Sequence, residues 1–236
     1  MTASIEKMDY VKQLAEDMVF IKGYDNFQMK SENWFGDEKL ERQVKIADFH
    51  LCKYPVTQGL WNQVMGKENN RSKFQGLDRP VEIVSWDDTK VFLKKLNQQT
   101  RKTYRLPSEA EWQYAAQGGK NGKGCIYAGS NKLKEVGWYD DNSHGETKPV
   151  GLKLPNELGL YDMSGNVWEW CADVWHENYN GAPEDGSAWL SGGEQARRVV
   201  RGGSWDFNDY VCRVSDRGRL LTGGRLINIG FRLAGY

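Results

Sequence analysis

The sequence predicts one α+β domain with short helices in its first half and an irregular, β-rich second half. Helix-capping patterns occur before residue 118, whereas glycine and short β-like runs dominate after it. Hydrophobic residues make up 39% of the 236 residues, which is enough for a packed core and excludes a disordered chain. We expect a single domain over residues 1–236, with residues 1–16 as an N-terminal extension.

Three helices are predicted from their first residues. Thr57 is a capping residue that precedes apolar positions spaced three and four apart. Ser85 with Asp88, and Ser108 with Glu111, form capping boxes, in which each side chain accepts a hydrogen bond from the other residue's backbone amide.

The remaining segments predict short elements. Residues 1–17 are typical of a polar helix, and the apolar run of residues 17–29, interrupted by glycine, predicts a β-hairpin. The runs VWEWCADVW and RRVVRGG predict two strands of the second half.

Charge is distributed unevenly although the net charge is zero. Residues 197–236 contain eight arginines, no lysine and three aspartates, so the rest of the chain is acidic. This predicts ion pairs between tail arginines and carboxylates of the main body, because guanidinium groups bind carboxylates in a fixed geometry. We expect no nucleic-acid partner, since lysines would accompany such a surface. No apolar segment is long enough to predict a membrane span.

The cysteines and histidines do not form a zinc or iron pattern in the sequence. Cys52, Cys125, Cys171 and Cys212 are far apart, which disfavours a zinc site and a disulfide framework. His50 is placed like a strand end, and His144 and His176 lie in polar loops, so we expect no iron site built from the three histidines.

Four motifs occur in order along the chain. They are RLPSEAEWQYAAQGG, GLYDMSGNVWEWCADVW, RVVRGGSW, and CR followed by NIGFRLA. Together they resemble the formylglycine-generating-enzyme-type domain, and the resemblance covers roughly residues 17–236. It implies an elaborated C-type-lectin-like fold, which hosts several activities.

For an enzyme of this family, the resemblance implies oxidation of a cysteine in sulfatases. It also implies a copper ion held by two cysteines of the tail, five residues apart. Cys212 matches the second position, but Phe207 occupies the first. One thiolate cannot form a bis-thiolate site, so we expect neither copper nor catalysis. A formylglycine-generating-enzyme-like oxidoreductase and an inactive scaffold paralogue remain the alternatives.

The resemblance also implies a calcium site at the GNVWEW turn. Its ligands would be the side chains of Asp162 and Glu169 and the backbone carbonyls of Gly165 and Val167, a donor set that suits a hard cation. In the alternative, Glu169 pairs with a tail arginine and Asp162 caps a turn.

The tail most resembles the variable proteins of bacterial diversity-generating retroelements, of the spirochaete surface type. These elements mutate adenines copied from a template repeat and leave a framework of other residues unchanged. The framework segments RGGSW, CR and IGFRLA are present in this tail. Adenine mutation of an asparagine codon cannot give Lys, Glu, Gln, Met or Trp. These five types make up about a quarter of the chain, yet none occurs from Asp206 to Ile227. Thr222 is explained less easily, and a tail that merely drifted remains the alternative.

We therefore expect residues 206–227 to form a variable surface that binds a macromolecule, expected to be a protein, at the cell surface or outside the cell. Its apolar members should be exposed and adjacent, and Arg213, Arg217 and Arg225 should turn inward toward carboxylates. The predicted contact residues are Asp206, Phe207, Asn208, Asp209, Tyr210, Val211, Asp216, Gly218, Leu220, Leu221, Gly223, Gly224, Leu226 and Ile227.

Overall fold

Short helices and two β-sheets form the part of the chain described by the computed structural model, residues 9–33 and 39–235. The helices are α1 Tyr10–Asp17, α2 Gln58–Met65, α3 Trp86–Thr100, α4 Glu109–Ala116, α5 Leu133–Val136 and α6 Asp140–Ser143. The strands are β1 Met18–Ile21, β2 Tyr24–Asn33, β3 Lys39–Ile46, β4 Phe49–Cys52, β5 Tyr104–Arg105, β6 Trp168–Trp175, β7 Glu194–Arg201, β8 Asp216–Leu221, β9 Ile229–Phe231 and β10 Ala234–Gly235. The predicted α+β class is confirmed.

The predicted helix starts are confirmed. The Thr57 hydroxyl accepts a hydrogen bond from the Leu60 amide, and both capping boxes form, one at α3 and one at α4. α1 is formed by part of the predicted N-terminal extension; its Leu14 is 2% exposed and its first amide donates to Gln63 of α2 at 2.8 Å. This part of the extension therefore packs into the domain, and residues 1–8 lie outside the described residues.

The predicted hairpin over residues 17–29 is wrong. β1 and β2 do form there, but they enter different sheets: β1 pairs with β4, and β2 pairs with β3. Gly23 between them lies next to the backbone of residues 46 and 47, where an added Cβ would overlap Ile46 O. The two strands therefore separate because each finds its partner elsewhere.

The tail occupies interior positions in both sheets. One sheet has the strand order β1-β4-β10-β5, and the other has the order β3-β2-β8-β7-β6-β9. β8 lies between β2, to which it is parallel, and β7, to which it is antiparallel. The predicted variable segment therefore contains β8, an interior strand of one sheet. The chain then continues into β9 at the edge of the same sheet and β10 inside the other sheet.

Aromatic packing joins the helical half to the tail. The rings of Trp61 and Phe92 stack at a centroid distance of 5.4 Å, and Phe231 of β9 meets both of them edge-on. All three side chains are at most 3% exposed. Within the described ranges, no helix has the length and apolar character needed to cross a bilayer.

Candidate functional site

A groove of about 430 Å³ opens above the strands β6, β7 and β8. Buried Trp168 and Val200 lie beneath it, beside Gly218. An added Cβ at position 218 would lie 2.9 Å from Val200 Cγ2, so the glycine preserves the depth of the groove. The groove is lined by Trp168, Trp175, Glu177, Val200, Phe207, Arg217, Gly218, Arg219, Leu220, Leu226, Asn228 and Ile229.

The tail supplies the apolar wall of the groove through Phe207, Leu220 and Leu226. The Phe207 ring meets Trp168 edge-on at a centroid distance of 6.0 Å. The Leu226 carbonyl accepts a hydrogen bond from the Ile83 amide at 3.0 Å, which fixes the tail to the loop before α3. The backbone of this wall is therefore held by a hydrogen bond to the loop before α3.

The opposite wall combines an aromatic ring with charged groups. The guanidinium carbons of Arg217 and Arg219 lie 4.1 and 5.2 Å from the Trp175 ring centroid, at cation–π distance. Arg219 also pairs with Glu177 and, at 2.9 Å, with Glu194. This wall offers an indole face and an exposed charged rim to a ligand.

Arg217 anchors the groove from below. Its Nε and Nη2 donate to the two carboxylate oxygens of Glu109 at 2.9 and 3.0 Å, and Nη1 donates to the His176 carbonyl. Both side chains are at most 4% exposed. Burial raises the pKa of Glu109, but Arg217 and Arg201 outweigh that effect and hold it below its usual value. The predicted inward turn of Arg217 toward a carboxylate is confirmed.

The other tail arginines have different surroundings. Arg232 is buried and pairs with Glu169, whereas Arg225 pairs with Asp88 at 2.7 Å near the surface. Arg213 stacks on the Tyr210 ring, with its guanidinium carbon 4.1 Å from the centroid. The tail therefore contains both buried arginines, such as Arg232, and partly exposed ones, such as Arg225.

Exposure varies among the predicted contact residues. Val211 and Asp216 are 4% and 1% exposed and therefore do not belong to the surface, because Val211 packs in the core and Asp216 starts the central strand β8. The expectation of large exposure is also wrong for four apolar members, which are half-buried: Phe207, Tyr210, Leu220 and Ile227. The exposed members are Asp206, Asn208, Asp209, Leu221, Gly223 and Leu226, and Gly218 and Gly224 are half-buried.

Cys212 lies beneath this surface as a buried thiol. Its side chain is fully buried, and burial raises the pKa of the thiol far above its ordinary value. Its Sγ is 4.0 Å from the Ser204 carbonyl oxygen, and Gly203 approaches it so closely that an added Cβ would lie 2.6 Å from Sγ. All four cysteines are free. Cys212 therefore has the surroundings of a packing residue.

The two carboxylates of the implied calcium site, Asp162 and Glu169, already accept hydrogen bonds from protein groups. Both carboxylate oxygens of Glu169 accept hydrogen bonds from Arg232, and Trp112 also donates to Oε2 at 2.7 Å. Asp162 is buried, accepts from the Gly151 amide at 2.8 Å, and has a pKa raised by burial to about 6. This arrangement fits the alternative in which Glu169 pairs with a tail arginine, since a cation would have to displace Arg232. The Gly165 amide donates to Gly202, and Val167 is buried.

The histidines lie apart in aromatic or turn surroundings. His50 meets Phe20 edge-on, and His176 stacks on Trp189. Among the described residues, no group of three or more His, Cys, Asp or Glu side chains is placed to hold a metal ion.

Glu82 is a buried carboxylate close to the groove. Its Oε1 accepts a hydrogen bond from the Phe74 amide, whereas Oε2 has no hydrogen-bond partner among the described residues. Burial raises the pKa of Glu82 to about 7. The next residue, Ile83, has a φ of 58°, which is strained for a β-branched side chain, and it holds the Leu226 carbonyl.

We expect the free energy of unfolding to fall as the pH rises from 5 to 8. The folded state binds the Glu82 proton more tightly than the unfolded state. The contribution of this proton to the free energy of unfolding is therefore complete below about pH 4.5 and is lost as the pH rises past 7. The raised pKa values of Asp162 and Asp173 act in the same direction. Glu82→Gln should flatten the slope and stabilise the domain at pH 8 by roughly 1–3 kcal/mol. Denaturant melts at both pH values measure this.

The control for this prediction is Glu16→Gln, which changes an exposed carboxylate of α1. We expect its pH profile to match that of the parent chain. Equal profiles for the parent chain and Glu82→Gln would contradict the assignment of the slope to Glu82.

Part of the groove escaped sequence reasoning. Trp168, Trp175, Glu177, Val200 and Asn228 line it, although the sequence indicated only that the first four lie in or beside strands. Trp168 and Trp175 are seven residues apart on β6, so regular alternation would place them on opposite faces of the sheet. Register shifts between β6 and β7 interrupt that alternation, and both side chains line the groove. Which of these side chains lie next to the tail depends on the pairing of β6 with β7 and of β7 with β8.

Comparisons with known proteins give a consistent family. Residues 5–235 match the sulfatase-modifying factor enzyme 1-like domain. The chain is 31% identical to chaperone protein LppX of Paenibacillus barcinonensis, over 93% of this chain and 89% of that protein. Its structure superposes on Treponema denticola variable protein 1 with a TM-score of 0.81 and 31% identity, over 92% of this chain and 94% of that one.

Relatives within the family include an enzyme and an inactive paralogue. The chain is 35% identical to the formylglycine-generating enzyme of Streptomyces coelicolor, over 71% of this chain and 56% of that protein. It is 31% identical to the inactive C-alpha-formylglycine-generating enzyme 2 of Bos taurus, over 86% of this chain and 65% of that protein. It thus spans between half and two thirds of these two relatives, and membership does not by itself decide catalysis. On the match over residues 5–235, the chain belongs to the sulfatase-modifying factor enzyme 1-like family, with the C-type-lectin-like fold of the formylglycine-generating enzymes.

Proposed function

We propose that this protein binds a ligand, expected to be a protein, through a sequence-diversified surface formed by the exposed and half-buried residues of the segment 206–227. The supporting observation is a division of labour within the tail. Replaceable side chains form one wall of the groove, while buried ion pairs such as Arg217–Glu109 hold the backbone beneath them.

The chemistry of this surface suits protein recognition. Leu221 and Leu226 are 53% and 47% exposed, and they offer apolar contact area next to the groove. The exposed polar residues Asp206, Asn208 and Asp209 add hydrogen-bonding groups, as in other paratopes. The held backbone keeps the entropic cost of binding low.

The similarity to Treponema denticola variable protein 1 supports diversification of the tail. The absence of lysine, glutamate, glutamine, methionine and tryptophan between residues 206 and 227 supports the same mechanism. The proposal includes display at the cell surface or outside the cell, where a diversified face would meet foreign ligands. It does not include catalysis, because Phe207 stands where the copper-binding branch has its first cysteine. Loading of one equivalent of copper by two thiolates would contradict this part.

A library tests the proposal directly. We expect variants with asparagine-codon-derived residues at the exposed positions Asn208, Asp209, Leu221 and Leu226 to melt within about 5–10 °C of the parent chain, because surface changes are individually small. Panning of this library against a panel of proteins should yield saturable binders. Melting temperatures and binding isotherms are the measurements.

A matched library at Val211 and Asp216 is the control, and we expect most of its members to unfold because both side chains are buried. We also expect a near-copy of the codons for residues 206–227 to lie close to the gene, beside a gene for a reverse transcriptase. The two copies should differ only where the template has adenines. Natural variation spread evenly along the chain would contradict it.

A further inference from the structure

A second cleft, which shares no lining residue with the groove, lies between β2 and the glycine-rich loop that follows α4. Its volume is about 820 Å³, within the range of small-molecule sites. It is lined by Tyr24, Asn26, Phe27, Gln28, Lys30, Tyr114, Gln117, Gly119, Lys120, Gly122, Gly124, Cys125, Ile126, Arg213, Val214 and Ser215.

The charge of this basic cleft is one-sided. Lys30, Lys120 and Arg213 line it, and its described lining residues include no carboxylate. The Lys30 ammonium is 3.3 Å from Glu41, but both side chains are more than half exposed, so solvent screens this pair. The net charge of the whole chain is zero, so this grouping of three cationic residues is a local feature of the surface.

The walls of the basic cleft are fixed by backbone contacts. Gly118 and Gly119 have φ values of 85° and 61°, which turn the chain sharply at the end of α4. The Gly122 amide closes the loop on the Gly119 carbonyl, and the Val214 amide donates to Ile126 at 3.0 Å. The tail and the loop are thus tied together, so a ligand would order little of the chain on binding.

Neutral polar groups complete the lining. Asn26, Gln28 and Gln117 present amide groups, and Tyr24 and Ser215 present hydroxyls. Hydrogen bonds from such donors and from cationic groups satisfy the oxygens of phosphate and sulfate esters. The three cations come from three separate segments, which suits a ligand with more than one anionic group.

We propose that the basic cleft binds a small polyanion that carries two or more phosphate or sulfate groups, independently of the groove. Phosphate and sulfate share the charge and the tetrahedral oxygens that this lining recognises. Titrations with two probes, inorganic tripolyphosphate and sucrose octasulfate, distinguish the two sources.

Isothermal titration of the full chain should give saturable one-site binding of at least one probe. We expect the double variant Lys30→Glu with Lys120→Glu to weaken the affinity at least tenfold, because it reverses the charge of both lysines that line the cleft. The matched control, Lys12→Glu with Lys95→Glu, makes the same change of net charge at exposed positions of α1 and α3 and should stay within twofold of the parent chain.

Two further variants locate the site. Arg213→Gln should weaken binding several-fold, whereas Leu226→Ala, which alters only the groove, should leave the affinity unchanged. Melting curves confirm that each variant is folded. Absence of saturable binding to either probe, equal losses in the two double variants, or dependence on Leu226 would each overturn the proposal.

Discussion

Arg217→Ala should lower the free energy of unfolding by about 3–5 kcal/mol, although position 217 lies within the segment that we propose to be variable. The guanidinium group is bound through both Nε and Nη2 to Glu109, and it also donates to the His176 carbonyl. Removal would leave a Glu109 carboxylate that is 3% exposed with Arg201 at 3.6 Å and the hydrogen bond from the Tyr179 hydroxyl. The large effect is expected because this buried charge loses the arginine that binds both of its oxygens.

Leu221→Ala and Leu226→Ala are the matched controls, because both side chains are about half exposed. We expect each to change the free energy of unfolding by less than about 1 kcal/mol. Phe207→Ala should fall between these values and the Arg217 variant, since its half-buried ring packs on Trp168. Urea denaturation measures all four variants. If the leucine variants lost more free energy of unfolding than Arg217→Ala, the exposed leucines rather than the buried ion pair would stabilise the fold.

The second large effect is expected at Arg232. Its side chain is fully buried and donates to the Glu169 carboxylate and to the carbonyls of Cys52, Lys53 and Tyr161. Arg232→Met removes these donors and leaves a buried carboxylate with the Trp112 indole, so we expect a loss of about 3–5 kcal/mol. Circular dichroism during urea denaturation measures the loss.

Two comparisons make this prediction specific. Arg225→Met breaks a partly exposed ion pair with Asp88 and should cost no more than about 1 kcal/mol. The double variant Glu169→Leu with Arg232→Met should regain part of the stability, because it removes both buried charges. A double variant less stable than Arg232→Met would contradict this account.

The same pair bears on calcium. Because Glu169 is engaged by Arg232, we expect a chelator to leave the melting temperature unchanged. A fall on chelation that added calcium reverses would instead support the ion that the family resemblance implies at Asp162, Gly165, Val167 and Glu169.

Local signals in the sequence determined the helix starts. Capping at Thr57, Ser85 and Ser108 depends on contacts within three or four residues, so a short window of sequence contains all the information that is needed. The runs VWEWCADVW and RRVVRGG indicated two strands, which overlap β6 and β7 as observed. The hairpin expected over residues 17–29 failed because strand pairing is decided across the fold.

The sequence by itself also identified the family motifs and the restricted composition of residues 206–227, since both are properties of the residue order. Only the tertiary structure decided which of these residues reach the surface. Val211 and Asp216 have residue types that fit a variable surface, yet core packing and the central strand bury them. Likewise, the charge imbalance predicted ion pairs for the tail arginines, but the choice of Glu109 for Arg217 joins residues 108 positions apart. Such a pair forms only when the sheet brings α4 and β8 together, so its partner depends on packing rather than on local sequence.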